Sequence, residues 1–486
     1  MNDASAVYLN PDGHGQALVF PYYTVQETQG DFFNTLISIR NQTSDSKVAK
    51  LRFREARNGR EVLAFDVYLA PNDMWTGAVV PASSDPAAPA HVISADDSCT
   101  DPRIDAVASS GYSGVDFRND AYAAADANDG AGVGLDRTRE GFFELIEMGT
   151  VGGATAAAIA LSTTNSYAHV DCSAVQGIRA PTGLGPPSGG LSGTMTLINV
   201  RTGMDFGLNA EALDDLARVP MYHPRSEPPA LDFNSPGIEP VSHVMANGAY
   251  YRSVWSRPVD AVSAALMRSS WMGEFVADAG SRSRTSMVLT FPTKHHYVTT
   301  TGAGAPFTSA FNAQCPPGSG EPVYQAIFSR ESRDVLEQFH DSCAYYASFG
   351  YPAPDICNHP PTICAAAAVA SISRPSDTVT ALGSKTIAFG GLWFQTTSQG
   401  YGYENGSVTF NSGSSIVLTS LDSSTRTDMR TGAVTTGPHS YRGLPIVGFW
   451  LRTFENASVP CNGNSAVCQG NYGSAFPLAY KRTITQ

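Results

Sequence analysis

The side chains best suited to covalent chemistry are eight cysteines: Cys99, Cys172, Cys315, Cys343, Cys357, Cys364, Cys461 and Cys468. An even number of thiols on a lysine-poor chain rich in Asn, Thr and Ser is the pattern of disulfides formed in an oxidising compartment. Pairing in sequence order (99–172, 315–343, 357–364, 461–468) is the expectation, although spacing alone does not select one connectivity. Cys357-Asn358-His359-Pro360-Pro361-Thr362-Ile363-Cys364 offers two thiols and an imidazole but lacks the CxxC spacing of zinc sites. A local disulfide around a proline turn is the expected use.

Hard-cation chemistry has one candidate, Asp126, Asn128, Asp129 and Asp136, whose oxygens on a turning backbone suit Ca2+. The stretch is not an EF-hand: where that loop needs glycine it has Ala131, and where it needs a bidentate glutamate it has Arg137. A solvated acidic turn is the plainer reading. His295-His296 is the densest titratable cluster; on a strand over 295–298 the two rings face opposite ways and cannot share a metal. No G-x-S-x-G, H-E-x-x-H, Walker or dinucleotide motif occurs, and Ser44-Asp45-Ser46-Lys47 fits S-x-x-K only by letters, in an exposed turn. The chain is therefore read as not an enzyme, with paired carboxylates for glycoside hydrolysis left open because they leave no local signature. Tyr22, Tyr23, Tyr401, Tyr403 and Tyr472, in glycine-rich or turn-rich surroundings, are candidates to stack on sugar rings, against the plainer reading of core filling.

The elements that must position these groups read as strands. Period-two alternation marks 16–20, 33–40, 48–54 and 62–69, with Asn58-Gly59 supplying a type I′ hairpin turn. In 48–54 Lys50, Arg52 and Arg54 form the solvent face opposite Leu51 and Phe53. Strands at roughly ten-residue spacing point to a mainly β fold with an immunoglobulin-like β-sandwich core. Residues 81–136 read as a loop-rich insertion. Further strands fall at 141–151, 193–200 and 286–291, with short helices at 154–162, 209–216 and 258–267. The expected organisation is N-terminal sandwich strands (1–80), the insertion (81–136), a continuation with short helices (137–300) and a second β-rich, disulfide-containing domain (301–486).

Composition narrows the partners. The net charge is −13 over 486 residues, with lysine only at positions 47, 50, 294, 385 and 481, a balance that repels nucleic acid and anionic lipid. No apolar run approaches the roughly 20 residues of a membrane-spanning helix. The first residues lack a signal-peptide pattern, so export by a signal peptide absent from this chain is the expectation. Sequons at Asn41, Asn405 and Asn456 fit a secreted surface.

Several stretches carry a resemblance. They are Tyr8-Leu9-Asn10-Pro11-Asp12-Gly13-His14-Gly15-Gln16 with Pro21-Tyr22-Tyr23-Thr24, Arg52-Phe53-Arg54-Glu55 onward to Leu69, Val288-Leu289-Thr290-Phe291-Pro292-Thr293-Lys294, Arg442-Gly443-Leu444-Pro445-Ile446-Val447-Gly448-Phe449, and Asn471-Tyr472-Gly473. Together they resemble a group of largely uncharacterised proteobacterial exported proteins of cell-surface, surface-layer-like type. The resemblance implies export and a place at the cell envelope, and no catalytic residues. The expectation is a self-assembling subunit of a surface layer, filament or sheath, its N-terminal segment 8–25 adding as a strand to a neighbouring copy. The alternative is a secreted carbohydrate-binding module or polysaccharide hydrolase with cell-surface glycan as partner.

Overall fold

The computed structural model describes residues 6–28, 30–104, 114–162, 168–223, 231–232, 239–278, 280–316, 318–329, 362–373, 380–386, 394–395, 405–413, 415–461 and 464–486. Their secondary structure is mainly β, with a few short helices. Two sheets enclose the first core in a β-sandwich-like packing. One contains the strands Glu61–Leu69, Lys47–Glu55, Glu140–Thr150, Ala17–Thr24 and Glu211–Asp214 in that order. The facing sheet runs Ala90–Ile93, Met74–Pro81, Asn34–Asn41, Leu191–Asn199, Met204–Asn209. Alternate residues of each strand point inward, so Leu51 and Phe53, Phe65 and Val67, Phe143 and Leu145, Ile37 and Ile39 form one apolar layer. Phe53 is its hub, with rings of Tyr23, Phe65, Phe117 and Phe143 within 6.4 Å.

A second pair of sheets packs Trp271, Phe275, Met287, Val323, Ile327, Phe410 and Trp450. Its central strand, Arg284–Thr290, lies between Ala367–Ser373 and Val447–Cys461. The opposite side of this sheet gives Val288, Val369, Phe449 and Leu451 to the first core. A sheet buried on both faces explains why its strands read as continuous apolar runs. Strand pairing also crosses the expected boundary at residue 300: Ala249–Val254 pairs with Thr425–Asp428, and Arg284–Thr290 with Val447–Cys461.

Several expectations need correction. The 8–25 segment is no free edge: Ala6–Leu9 pairs on both sides, and Ala17–Thr24 lies between Glu140–Thr150 and Glu211–Asp214. Both strands lie inside the sheet with neighbours on each side, so neither is an edge strand offered to a second copy. The expected helix at 209–216 is extended, ending one strand at Asn209 and forming Glu211–Asp214, whose Ala212 and Leu213 face two cores. Tertiary pairing overrides local propensity there. The 81–136 insertion contains the strands Ala90–Ile93, Thr100–Asp101 and Gly114–Asp116. The helices Gly153–Ile159 and Pro258–Leu266 stand where 154–162 and 258–267 were expected. Asn58-Gly59 does not form a type I′ turn, since only Gly59 has positive φ. The Glu55 carboxylate instead gathers the backbone N–H groups of Arg57, Asn58 and Arg60 into a wider loop.

Two disulfides are formed among the described residues. Cys99–Cys172 forms as expected, and Cys315 pairs with Cys364, which replaces both the expected 315–343 bond and the expected local 357–364 bond. Glu321 pairs with Ile363, which brings Cys364 beside the loop that carries Cys315. Cys343 and Cys357 lie outside the described residues, as do the side chains of Cys461 and Cys468.

Candidate ligand-binding cleft

The sequence-expected site residues do not assemble. Tyr22 and Tyr23 are fully buried, their hydroxyls donating to Glu140 (2.7 Å) and to the carbonyl of Thr138 (2.9 Å). They fill the core and offer no face to a sugar. Tyr401 and Tyr403 lie outside the described residues, while Tyr472 is exposed. In the calcium candidate, both Asp129 oxygens receive Arg137 at 2.7 Å, and Asn128 caps the N–H of Gly130. Asp126 and Asp136 are exposed. A guanidinium already fills the place a cation would need, and no three His, Cys, Asp or Glu side chains gather as a metal requires among the described residues.

His295 and His296 also differ from expectation. They lie on a 3₁₀ turn, Lys294–His296, not a strand. Adjacent residues on such a turn are not on opposite faces as they are on a strand, and the two rings sit 3.8 Å apart between centroids, tilted by 43°.

What the fold does build is a cleft of about 1080 Å³ where strands of several sheets meet. Its walls come from strands distant in sequence: Ala6–Leu9, Met204–Asn209, Glu211–Asp214, Val241–Ala246, Ala249–Val254 and Ala479–Lys481. Tyr8, Tyr250 and Tyr480 supply aromatic faces, and Asn10, Asn209, Thr194 and Thr196 supply amides and hydroxyls.

The charges at the cleft are held in place by pairing. Arg268 donates to Glu211 at 2.7 Å, and its guanidinium lies over the Tyr480 ring, 4.1 Å from the centroid. Arg482 approaches the same ring at 5.5 Å and donates to the carbonyls of Ala264 and Ala265. Burial lowers the Arg482 pKa. Tyr480 is thus gripped by two cations yet remains 41% exposed. Tyr8 donates to Asp214 at 3.1 Å, and burial with that carboxylate raises its pKa, so it stays a neutral phenol. His243 lies 5.1 Å from Tyr250; burial, then Arg252, lowers its pKa and leaves it neutral at pH 7. The lining therefore presents rings, neutral donors and acceptors, and charges already spent on each other.

One nucleophile-like pair escaped sequence reading. Ser253 Oγ lies 2.8 Å from His439 Nδ1 and 2.7 Å from the Tyr441 hydroxyl. All three are buried, Ser253 and His439 completely, so the trio is a core polar network out of a substrate's reach. No helix among the described residues is long and apolar enough to cross a membrane. No protein-family model, curated protein or solved structure matches the chain.

Proposed function

We propose that the chain is an exported cell-surface protein that holds an uncharged polyhydroxylated chain, a glycan, in this cleft. The observation that carries the reading is Tyr480, an exposed ring immobilised by Arg268 and Arg482 at the edge of a cleft lined with neutral amides and hydroxyls. A rigid aromatic face suits the C–H side of a sugar ring, and fixed polar groups suit its hydroxyls. Two disulfides support an oxidising location, and the two-layer packing of the first core is compatible with an immunoglobulin-like sandwich.

The test is a glycan array followed by calorimetry on the hits. Tyr480→Ala is expected to weaken binding by about tenfold or more, as truncation of an aromatic anchor does, while the far-UV circular dichroism stays that of the parent. An array without hits at millimolar glycan would sink the proposal.

A second reading, a self-assembling subunit, keeps one supporting observation. The strand Val434–Thr436 ends the largest sheet and is exposed along its length. Light scattering on the purified chain separates the readings: polymers favour assembly, a monomer that binds glycan favours the cleft.

A further inference from the structure

Lys47, Lys50 and Lys294 are buried, and an ammonium group brings three N–H donors that burial obliges the protein to satisfy. Lys47 donates to Glu147 at 2.8 Å and to the Ser188 hydroxyl, while Lys294 donates to the carbonyls of Cys364 and Ala365. Lys50 stands apart. Its Nζ touches Asp66 Oδ1, and nothing else accepts from it among the described residues.

The strands fix this contact. Lys50 on Lys47–Glu55 lies directly opposite Asp66 on Glu61–Leu69, and Asp66 lies opposite Asp101 on the edge strand Thr100–Asp101. Directly opposed residues share a face, with Cβ atoms roughly 5 Å apart. One amine and two carboxyl groups therefore form a row across three strands. Gly177 N donates to Asp101 Oδ2 at 2.9 Å, and the Cys99–Cys172 bond anchors the same edge. The row is dry: Lys50 and Asp66 are each 1% exposed and Asp101 5%. Two residues further along this face, Val48 and Tyr68 begin the apolar cluster that contains Met148 and Val175.

Burial of this kind favours the uncharged forms of an ion pair. Passing one proton from the Lys50 ammonium to the Asp66 carboxylate leaves an amine against a carboxylic acid, with no change in net charge. Held in contact, such a pair reacts as though one partner were present at about 10⁵ M or more. The nitrogen lone pair forms a bond to Cγ of Asp66, and the Cγ–OH bond breaks. The departing oxygen leaves as water, with a proton that came from the nitrogen. Asp101 is the neighbouring carboxylate, placed to take that proton and return it to the leaving oxygen. One ammonium and one carboxylate become one secondary amide and one water, and no oxidant or reductant is needed. The amide keeps a single N–H where the ammonium had three, so the condensation also removes the unsatisfied donors and both buried charges.

We propose that Lys50 and Asp66 condense to an isopeptide bond, a covalent rung between the Lys47–Glu55 and Glu61–Leu69 strands, with Asp101 as the proton carrier. The rung braces the same side of the first sandwich as Cys99–Cys172 but, being an amide, survives reductant.

Intact mass spectrometry of the whole chain, unfolded and fully reduced, tests it. The parent is expected to weigh less than the sum of its residues by one water, and Lys50→Arg to show no such loss. Proteolysis followed by fragmentation should recover the Lys50 and Asp66 peptides joined as one branched species, which separates the rung from dehydration at any other aspartate. In Asp101→Asn both partners remain, and the water should be lost at least about a hundredfold more slowly, the usual scale of positioned proton transfer. The decisive reading is on the parent chain and does not depend on any variant folding. A parent of full sequence mass, or a loss that maps to another peptide, overturns the proposal, and bond formation at parental speed in Asp101→Asn overturns the role given to Asp101.

Discussion

Replacing Arg137 by alanine is expected to lower the unfolding free energy by about 3–5 kcal/mol, the range for removing one partner of a buried ion pair. The guanidinium is buried and spends every N–H: Nε and Nη2 on Glu55, Nη1 and Nη2 on Asp129, and Nη1 also on the carbonyl of Gly132, at 2.7–3.1 Å. Its flat face lies 4.2 Å from the Tyr122 ring centroid. Without it Glu55 and Asp129 face each other as uncompensated buried carboxylates, and Glu55 also organises the loop after Lys47–Glu55. Equilibrium urea unfolding at pH 7 measures the loss, and a change below about 1 kcal/mol, the scale of an exposed pair, would refute the account. Arg137→Lys should recover only part, because an ammonium cannot fork onto two carboxylates.

Acid titration gives the same pair a sign. The Arg137 bonds hold the Asp129 pKa below its usual value even though burial, the largest effect, pulls it upward. A depressed folded pKa means that Asp129 contributes stability above its unfolded pKa and loses it as pH falls through the folded one. In Arg137→Ala the depression disappears, so acid unfolding begins at higher pH than in the parent.

The parts of the fold legible in the sequence are those set by nearest-neighbour alternation. Phe53 and Leu51 announce an inward face, and Glu140–Thr150 announces a strand, because the pleat alone dictates both. The other side of Lys47–Glu55 was not legible. Lys50, Arg52 and Arg54 alternate like a solvated face, yet all nine residues of the strand are buried. Their partners, Asp66 and Glu144, come from other strands, and nothing local distinguishes a charge that meets water from one that meets a distant carboxylate. The cleft was hidden for the same reason: Tyr8, Glu211, His243 and Tyr480 belong to four strands that only the sheet order brings together. His295 and His296 failed on a smaller point, a single 3₁₀ turn that replaces opposite faces by neighbouring, tilted rings.

Removing the Cys99–Cys172 cross-link, by replacing both cysteines with alanine, is expected to cost about 4 kcal/mol in the chain-entropy account of disulfides. The bond closes a separation of 73 residues, long enough for the unfolded chain to regain much freedom when it is cut. In the folded chain it ties the Thr100–Asp101 edge strand to the turn at Cys172–Val175. Other bonds support that union: Gly177 N donates to Asp101 at 2.9 Å, and Gln176 donates to the carbonyl of Thr100. Beneath it Val48, Tyr68, Met148 and Val175 form a small apolar cluster on the outward side of the first sandwich. Because those contacts persist, the variant should fold to the same structure with a lower denaturant midpoint, and its transition slope should rise somewhat because the unfolded chain without the cross-link is less compact. Comparing parent and variant with and without reductant isolates this bond from Cys315–Cys364: the parent should lose more stability on reduction than the variant by the same few kcal/mol. Equal losses would place the stabilisation in the surrounding contacts, and the cross-link would then be a consequence of the fold instead of one of its braces.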